Sequence, residues 1–478
     1  MRAALLLGAL PSRLRAAAPG TRLAGAVALG LCAVFVLDAA ATAPVRAVPK
    51  PGHRLASRTM PGRRLDFPAP ALPAAVAAPA PAPPALLAEG PLAPHEIFGF
   101  APYWTLDQAR GFDLRSLSTV AYFGLDVNAD GGLSHTGGGW DGYQSQALSD
   151  LITAGHRNRD RMVLTVKAFD ADTLHHLAND PGVPARLSAE AVQAMRDKSF
   201  DGLNIDFEGQ GPQERAPLAA LVRNVAGAVH AANPAWQVTV DTYATSAVDQ
   251  SGWFDVAAMA PAVDAFFVMA YDMYQHDNAS PNSPLQNSSA SVSGSGREYA
   301  ALVGRNKVII GAPFYGYDFE TQDNQPASHS AGSPSPVVYS AIRDAARPEY
   351  WDADHMVPWT AYQDGGKWHE VYYDNPASLA LKARAVTALH LLGVGVWALG
   401  MDGNDPAMMA ALLGRARPLK AALTPAPPGA APAPAAPAPA PAPAKSTAPA
   451  PTRSPSPKPS SSPSPQPSPS PSPVLPIP

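Results

Sequence analysis

Phe200-Asp201-Gly202-Leu203-Asn204-Ile205-Asp206-Phe207-Glu208-Gly209 alternates apolar and polar side chains through its centre. In extended backbone, Leu203, Ile205 and Phe207 share one face, and Asn204, Asp206 and Glu208 share the other. On an open sheet the polar face would meet solvent and carry little information. In a closed parallel barrel the apolar face packs on surrounding helices, and the polar face lines the lumen up to the rim where catalytic groups collect. Two acids and an amide confined there need a functional reason. A lone strand ending in acids is more commonly a solvated terminus, so the rest of the chain has to supply the barrel.

Apolar, β-branched runs recur at 97–101, 119–123, 162–166, 203–207, 238–240, 265–269, 308–311 and 393–397. Stretches between them, such as 218–232 and 378–392, have helix-forming composition and apolar spacing. Eight strand–helix units predict an α/β fold, a (β/α)8 TIM barrel over 95–417, within the size range of one such domain with insertions. The seventh connection, 312–377, is far longer than the rest. A small insertion is expected there, between strand 7 and its helix, carrying Tyr339, Trp351, Trp359, Tyr362, Trp368 and Tyr372.

The 478 residues are too many for one core, yet 55 prolines and 37 glycines mean that much of the chain cannot pack. Residues 1–47 read as an export signal: Arg2, Arg13, Arg15 and Arg22 precede an apolar run at 23–37, followed by Asp38 and Ala39-Ala40-Ala41-Thr42-Ala43. At roughly 15 residues the run is short for a bilayer span. An uncleaved anchor is the alternative reading. Pro44 follows Ala43, so cleavage at Ala41 or Ala47 is as well supported. Cys32 follows Leu31, where a lipid site would want a small residue. Residues 48–94 form a Pro/Ala-rich linker, and 418–478 a Pro/Ala/Ser-rich tail; both are expected to be disordered and polyproline-like, suited to spacers through a cell envelope. The Ser/Thr-Pro part of the tail permits glycosylation.

Cys32 is the only cysteine, which excludes an intramolecular disulfide. A net charge of −4 with no basic face argues against a nucleic-acid partner. His175-His176 and His276-Asp277 do not make a metal-ligand constellation and read as solvated surface. No cofactor is called for, and a monomer is expected.

Residues two apart on a strand lie about 6.6 Å apart on the same face. Asp206 and Glu208 therefore approach a bound sugar from one side, whereas ordinary glycosidases set their two carboxylates on opposite sides of the scissile bond. The pair can supply an acid, Glu208, and a helper, Asp206, that orients part of the substrate. If the substrate carries a 2-acetamido group, its carbonyl oxygen serves as nucleophile and Asp206 holds the amide N–H. Two close carboxylates repel, so one keeps its proton near neutrality, as an acid catalyst requires.

Asp201-Gly202-Leu203-Asn204-Ile205-Asp206-Phe207-Glu208 resembles the DGxDxDxE signature of family 18 of the glycoside hydrolases, the chitinases and related endo-N-acetylglucosaminidases. Met269-Ala270-Tyr271-Asp272 resembles that family's M-x-Y-D motif after strand six, and Gly393-Val394-Gly395-Val396-Trp397 its strand-eight motif. The resemblance covers essentially the whole barrel. It implies Glu208 as acid/base, Asp206 as acetamido partner and Tyr271 as donor to the acetamido carbonyl. It also implies Asp272 and Trp397 as substrate contacts, with Trp397 flooring the subsite of the reacting sugar. Asp201, Asn204 and Met269, as motif members, and the strand-end aromatic Tyr103 are further expected substrate-binding positions. Trp104, Trp140, Asp170, Asp241 and Tyr243 also lie near predicted strand ends, with core packing as the competing reading.

Two departures stand out. Asn204 replaces the middle acid of the signature, a variant that resembles the spore- and wall-directed bacterial branch; it bears on the pH profile. The strand-three SxGG pattern is absent, replaced by Thr165-Val166-Lys167-Ala168-Phe169-Asp170. The function implied is a secreted or envelope-associated hydrolase of an N-acetylglucosamine-containing polysaccharide, peptidoglycan or chitin-like. A non-catalytic lectin on the same barrel and a structural envelope protein are the alternatives from other classes. Glu208, which such lectins typically lack, weighs against the former.

Overall fold

The structure, a computed structural model, describes residues 95–413. The export signal or anchor expected at 1–47, the linker at 48–94 and the tail at 418–478 lie outside the described residues. Seven parallel strands run β1 (Glu96–Pro102), β2 (Thr119–Asp126), β3 (Arg161–Ala168), β4 (Gly202–Phe207), β5 (Gln237–Tyr243), β6 (Ala265–Met269) and β7 (Val308–Pro313). Five antiparallel strands follow: β8 (Tyr315–Thr321), β9 (Ser335–Val338), β10 (Tyr350–Asp352), β11 (Val357–Asp364) and β12 (Lys367–Tyr372). The eighth barrel stave is β13 (Gly393–Trp397). The barrel closes in the order β1-β13-β7-β6-β5-β4-β3-β2.

Closure follows from the two faces of each strand. Leu203, Ile205 and Phe207 of β4 are buried among the outer helices. The helix Arg215–Ala232 offers Leu218, Leu221, Val222, Val225 and Val229 in return, the i, i+3, i+4, i+7 stripe of a core-facing helix. On the inner face, one side of the lumen is plugged by phenylalanine. Phe267 lies 5.6 Å from Phe98 and 4.9 Å from Phe100, ring centre to ring centre. Glycines on β7 and β13 make room for it: a Cβ on Gly311 would sit 2.6 Å from the Phe267 ring, and one on Gly395 2.3 Å. The other side of the lumen is polar, and strand register sorts it into layers. Thr165, Asn204 and Thr239 are mutual neighbours across β3, β4 and β5. One step toward the strand ends, Asp126, Lys167 and Asp206 are neighbours across β2, β3 and β4. Continuing the β4–β5 register places Asp241 beside Asp206.

The expected insertion is present: β8–β12 form a five-stranded sheet, ordered β10-β11-β12-β8-β9, between β7 and the helix Pro376–Ala388. Five of the six aromatic residues noted there, Tyr339, Trp351, Trp359, Tyr362 and Tyr372, are buried, and Trp359 stacks on Tyr372. A fully buried ion pair, Lys382 with Asp374, ties the end of the insertion to the following helix. That helix stops at Ala388, short of the predicted 392, and His390 takes a left-handed φ of 56° where the chain turns toward β13. At β2, β3 and β5 the strands continue beyond their predicted ends, by the residues that reach the rim.

Candidate active site

Glu208 follows the last residue of β4, and its backbone N–H donates to Ala168 O at 3.0 Å, which carries the strand pairing one step further. The loop after β5 fixes this end of the strand. Trp253 Nε1 donates to Phe207 O at 2.7 Å, and the Tyr243 hydroxyl donates to Gly209 O at 3.0 Å. Arg215 holds that loop by donating to the carbonyls of Asp249 and Gly252, each at 3.2 Å, and to Phe254 O. Glu208 thus stands on a braced strand end.

Asp206 and Glu208 hydrogen-bond each other. Burial pushes both carboxyls up, but their contact acts in opposite directions, lowering Asp206 and raising Glu208. Of the two, Glu208 is the carboxyl pushed further above its ordinary range, so it is the one that keeps a proton at neutrality. Two further acids, Asp241 and Asp272, add to the rise at Glu208. The Lys167 ammonium opposes the rise at Asp206. Lys167 is buried in the lumen, pairs with Asp126, and lies 5.7 Å from the Phe123 ring and 5.8 Å from the Phe169 ring. The arrangement is an acid pushed well above the usual carboxylate range beside one raised to about 7, whose rise Lys167 restrains.

Tyr271 and Asp272 follow β6, two staves from β4. Tyr271 is buried, and burial first, then Asp241, Asp272, Glu208 and Asp206, keep its hydroxyl protonated well above the usual phenol range. Its ring meets Tyr315 edge-on at 6.1 Å. Asp272 adopts φ 56°, a left-handed conformation that Asp and Asn tolerate best, and Asn282 Oδ1 accepts its backbone N–H at 2.7 Å. Its Oδ1 accepts from the Tyr315 hydroxyl and, at 2.8 Å, from the Tyr317 hydroxyl, both on the insertion. Asp272 keeps access to solvent on one side while protein crowds it elsewhere; the crowding raises its pKa and the tyrosine hydroxyls restrain the rise.

Trp397 ends β13, the stave directly opposite β4 in the closed order. It is wedged edge-on against Phe123 at 4.6 Å, with Phe100 at 5.4 Å and Trp104 at 6.3 Å. Met269, last in β6 and half-buried, shares the inward parity of Phe267. Tyr103 meets Trp104 edge-on at 4.7 Å.

Two expected substrate contacts lie away from the rim. Asp201 precedes β4, at the end of the strand away from the site, and its Oδ2 accepts from Met162 N at 3.0 Å and lies 2.8 Å from His156 Nε2. Its odd parity, shared with Leu203 and Ile205, turns it outward. Asn204 points inward but lies completely buried one layer below Asp206. It accepts from the Thr239 hydroxyl at 2.6 Å and donates to Asp241 Oδ2 at 2.8 Å. Asp170 caps the helix Ala171–Asn179, accepting from Thr173 N at 2.9 Å, and Trp140 stacks between His135 and Tyr143. Sequence reasoning missed Lys167 as a site residue. Its signal was an inward lysine one register step from Asp206. Among the described residues, no group of three or more His, Cys, Asp or Glu side chains is placed to hold a metal ion.

Residues 168–402 match the family model described as glycosyl hydrolases family 18. The chain is 28% identical over 287 residues to the di-N-acetylchitobiase of Rattus norvegicus, which covers 54% of this chain and 76% of that protein. It is 28% identical over 266 residues to the cortical fragment-lytic enzyme of Bacillus subtilis (strain 168), covering 52% of this chain and 59% of that one. In fold it is similar to the GH18 chitinase from Cycas revoluta solved in complex with (GlcNAc)3. That likeness has a TM-score of 0.59 and 19% identity, and spans 67% of this chain and 99% of that one.

Proposed function

The chain belongs to family 18 of the glycoside hydrolases, and on that premise we propose that it cleaves β-1,4 linkages next to N-acetylglucosamine, with retention, in peptidoglycan or a chitin-like glycan. One observation carries the mechanism: Asp206 and Glu208 occupy the same stave, and Trp397 occupies the stave opposite. A sugar lying on Trp397 meets both carboxyls on one edge, with no carboxylate behind C1 to attack it. The nucleophile is then the sugar's own acetamido oxygen.

Glu208 gives its proton to the glycosidic oxygen as the C1–O bond breaks. The acetamido carbonyl oxygen bonds to C1, forming an oxazolinium ion. Asp206 holds the amide N–H and offsets the positive charge, while Tyr271, kept protonated, donates to the acetamido oxygen. Water then adds to C1, passes a proton to the Glu208 carboxylate and restores the resting enzyme. The substrate assignment draws on relatives named a di-N-acetylchitobiase and a cortical fragment-lytic enzyme, and on the structural neighbour solved with (GlcNAc)3. Secretion or envelope attachment belongs to the same proposal and rests on residues 1–47 and the Pro-rich arms; cell fractionation with N-terminal sequencing of the mature chain checks it.

The test uses chito-oligosaccharides and purified wall glycan. Glu208→Gln is expected to abolish turnover while retaining binding, a thiazoline mimic of the oxazolinium is expected to inhibit, and NMR of the first product should show the β-anomer. An α-anomer, or full activity with the thiazoline bound, would overturn the mechanism.

A further inference from the structure

Asp241 has no part in the mechanism above, yet it is one of the most confined carboxyls in the lumen. It lies on β5 beside Asp206, 3% exposed. Asn204 donates its amide to Asp241 Oδ2, and the Asn204 oxygen is already taken by the Thr239 hydroxyl. The amide is thereby locked with its N–H toward Asp241. This makes Oδ2 the accepting atom and leaves Oδ1, buried and without a partner, as the place for a proton. Asp206 Oδ1 is also buried and without a partner. Two neighbouring buried carboxyls cannot both be charged at modest cost, and Lys167, the ammonium one stave beyond Asp206 and paired with Asp126, supplies one compensating charge. The other titratable groups that Asp241 acts on are Glu208 and Tyr271, and neither brings a positive charge.

We propose that Asp241 is a positioning residue for the reaction, a carboxylic acid kept neutral in the resting enzyme whose Oδ1 proton serves Asp206 and leaves that carboxylate the single negative charge of the pair. The inference rests on the functional reading above, because it assigns Asp206 its ionised state through Asp241. Burial and the neighbouring Asp206 both push Asp241 well above the usual carboxylate range, in the same direction. Asn204, which cannot hold a proton of its own, becomes the device that orients the acid which can.

The deciding variant is Asp241→Asn, which replaces a neutral acid by a neutral amide of the same shape. Native capillary electrophoresis at pH 7 of the full chain should show no change in net charge, with exposed Asp172→Asn as the one-charge marker. In hydrolysis of a chito-oligosaccharide, the acid limb of kcat/KM should stay within about 0.3 pH unit, while the weaker amide donor lowers kcat by about threefold to tenfold. Asp241→Ala, which removes the donor, should move the acid limb up by about one pH unit, a shift that a purely structural role would not produce. A full unit of charge lost on Asp241→Asn, or an acid limb that falls by about a unit in that variant, would overturn the proposal. Electrophoresis needs no turnover, so a wild-type chain inactive on every glycan would refute the functional reading and still leave Asp241 judged.

Discussion

Replacing Lys167 by methionine removes the one cation in the charged row of the lumen while keeping a flexible chain of similar length against Phe123 and Phe169. Lys167 and Asp206 are register-paired on strands about 4.8 Å apart, and a charge separation of about 5 Å sets the upper bound on their coupling. At an effective dielectric of about 20 this is worth about 3 kcal/mol, or about two pH units on Asp206. Asp126 already neutralises part of the ammonium's field, so the expected shift is about one to two units. The direction follows from the sign of the charge: without a cation nearby, the Asp206 carboxylate is harder to form, and its pKa rises further. Since the reaction needs Asp206 ionised, the acid limb of the kcat/KM profile moves to higher pH. At a fixed pH below the new limb the rate falls by about tenfold to a hundredfold, and it recovers as the pH is raised. A stopped assay on a fluorogenic chito-oligosaccharide across the pH range reads this directly. An acid limb that stays in place, or a uniform loss of rate at every pH, would refute the assignment of Lys167 as the group that keeps Asp206 charged.

Three other perturbations follow from the same geometry. Tyr315→Phe combined with Tyr317→Phe strips both hydroxyls from Asp272, whose pKa should rise further, and kcat/KM near neutrality should drop by about tenfold or more in steady-state assays. Asp201→Ala should cost about 1–3 kcal/mol by urea denaturation, because Met162 N and His156 lose their acceptor, with kcat unaltered; a loss of kcat at full stability would return Asp201 to the site. Lys382→Met alone strands a buried carboxylate and should destabilise by roughly 3–5 kcal/mol, most of it regained when Asp374→Asn is added, as followed by thermal melting.

Much of the fold was legible because barrel strands are apolar on their outer face and recur at regular spacing. The limit of that reading was equally physical. Apolar runs stop at the first glycine or charge, so β2, β3 and β5 were each cut short at Phe123, Val166 and Val240, and the residues beyond include Asp126, Lys167 and Asp241, which form the row that flanks Asp206. Parity alone separates Asp201, which shares the outward face of Leu203, from Asn204, which turns inward. Depth along the strand then separates buried Asn204 from Asp206, and a linear pattern holds no measure of depth. The insertion was visible as a long aromatic-rich connection, but its gift to the site, two hydroxyls on Asp272, depends on a sheet whose strands pair out of chain order.

That sheet cannot be treated as ornament on the barrel. Tyr315 backs Tyr271 and shares Asp272 with Tyr317, so the chamber borrows one wall from outside its eight staves. A shortened chain that drops 315–372 would keep Glu208 and Trp397 but leave Asp272 without either tyrosine hydroxyl, and a foreign sheet grafted there would retune that acid. Engineering of this enzyme therefore has to move barrel and excursion as one piece.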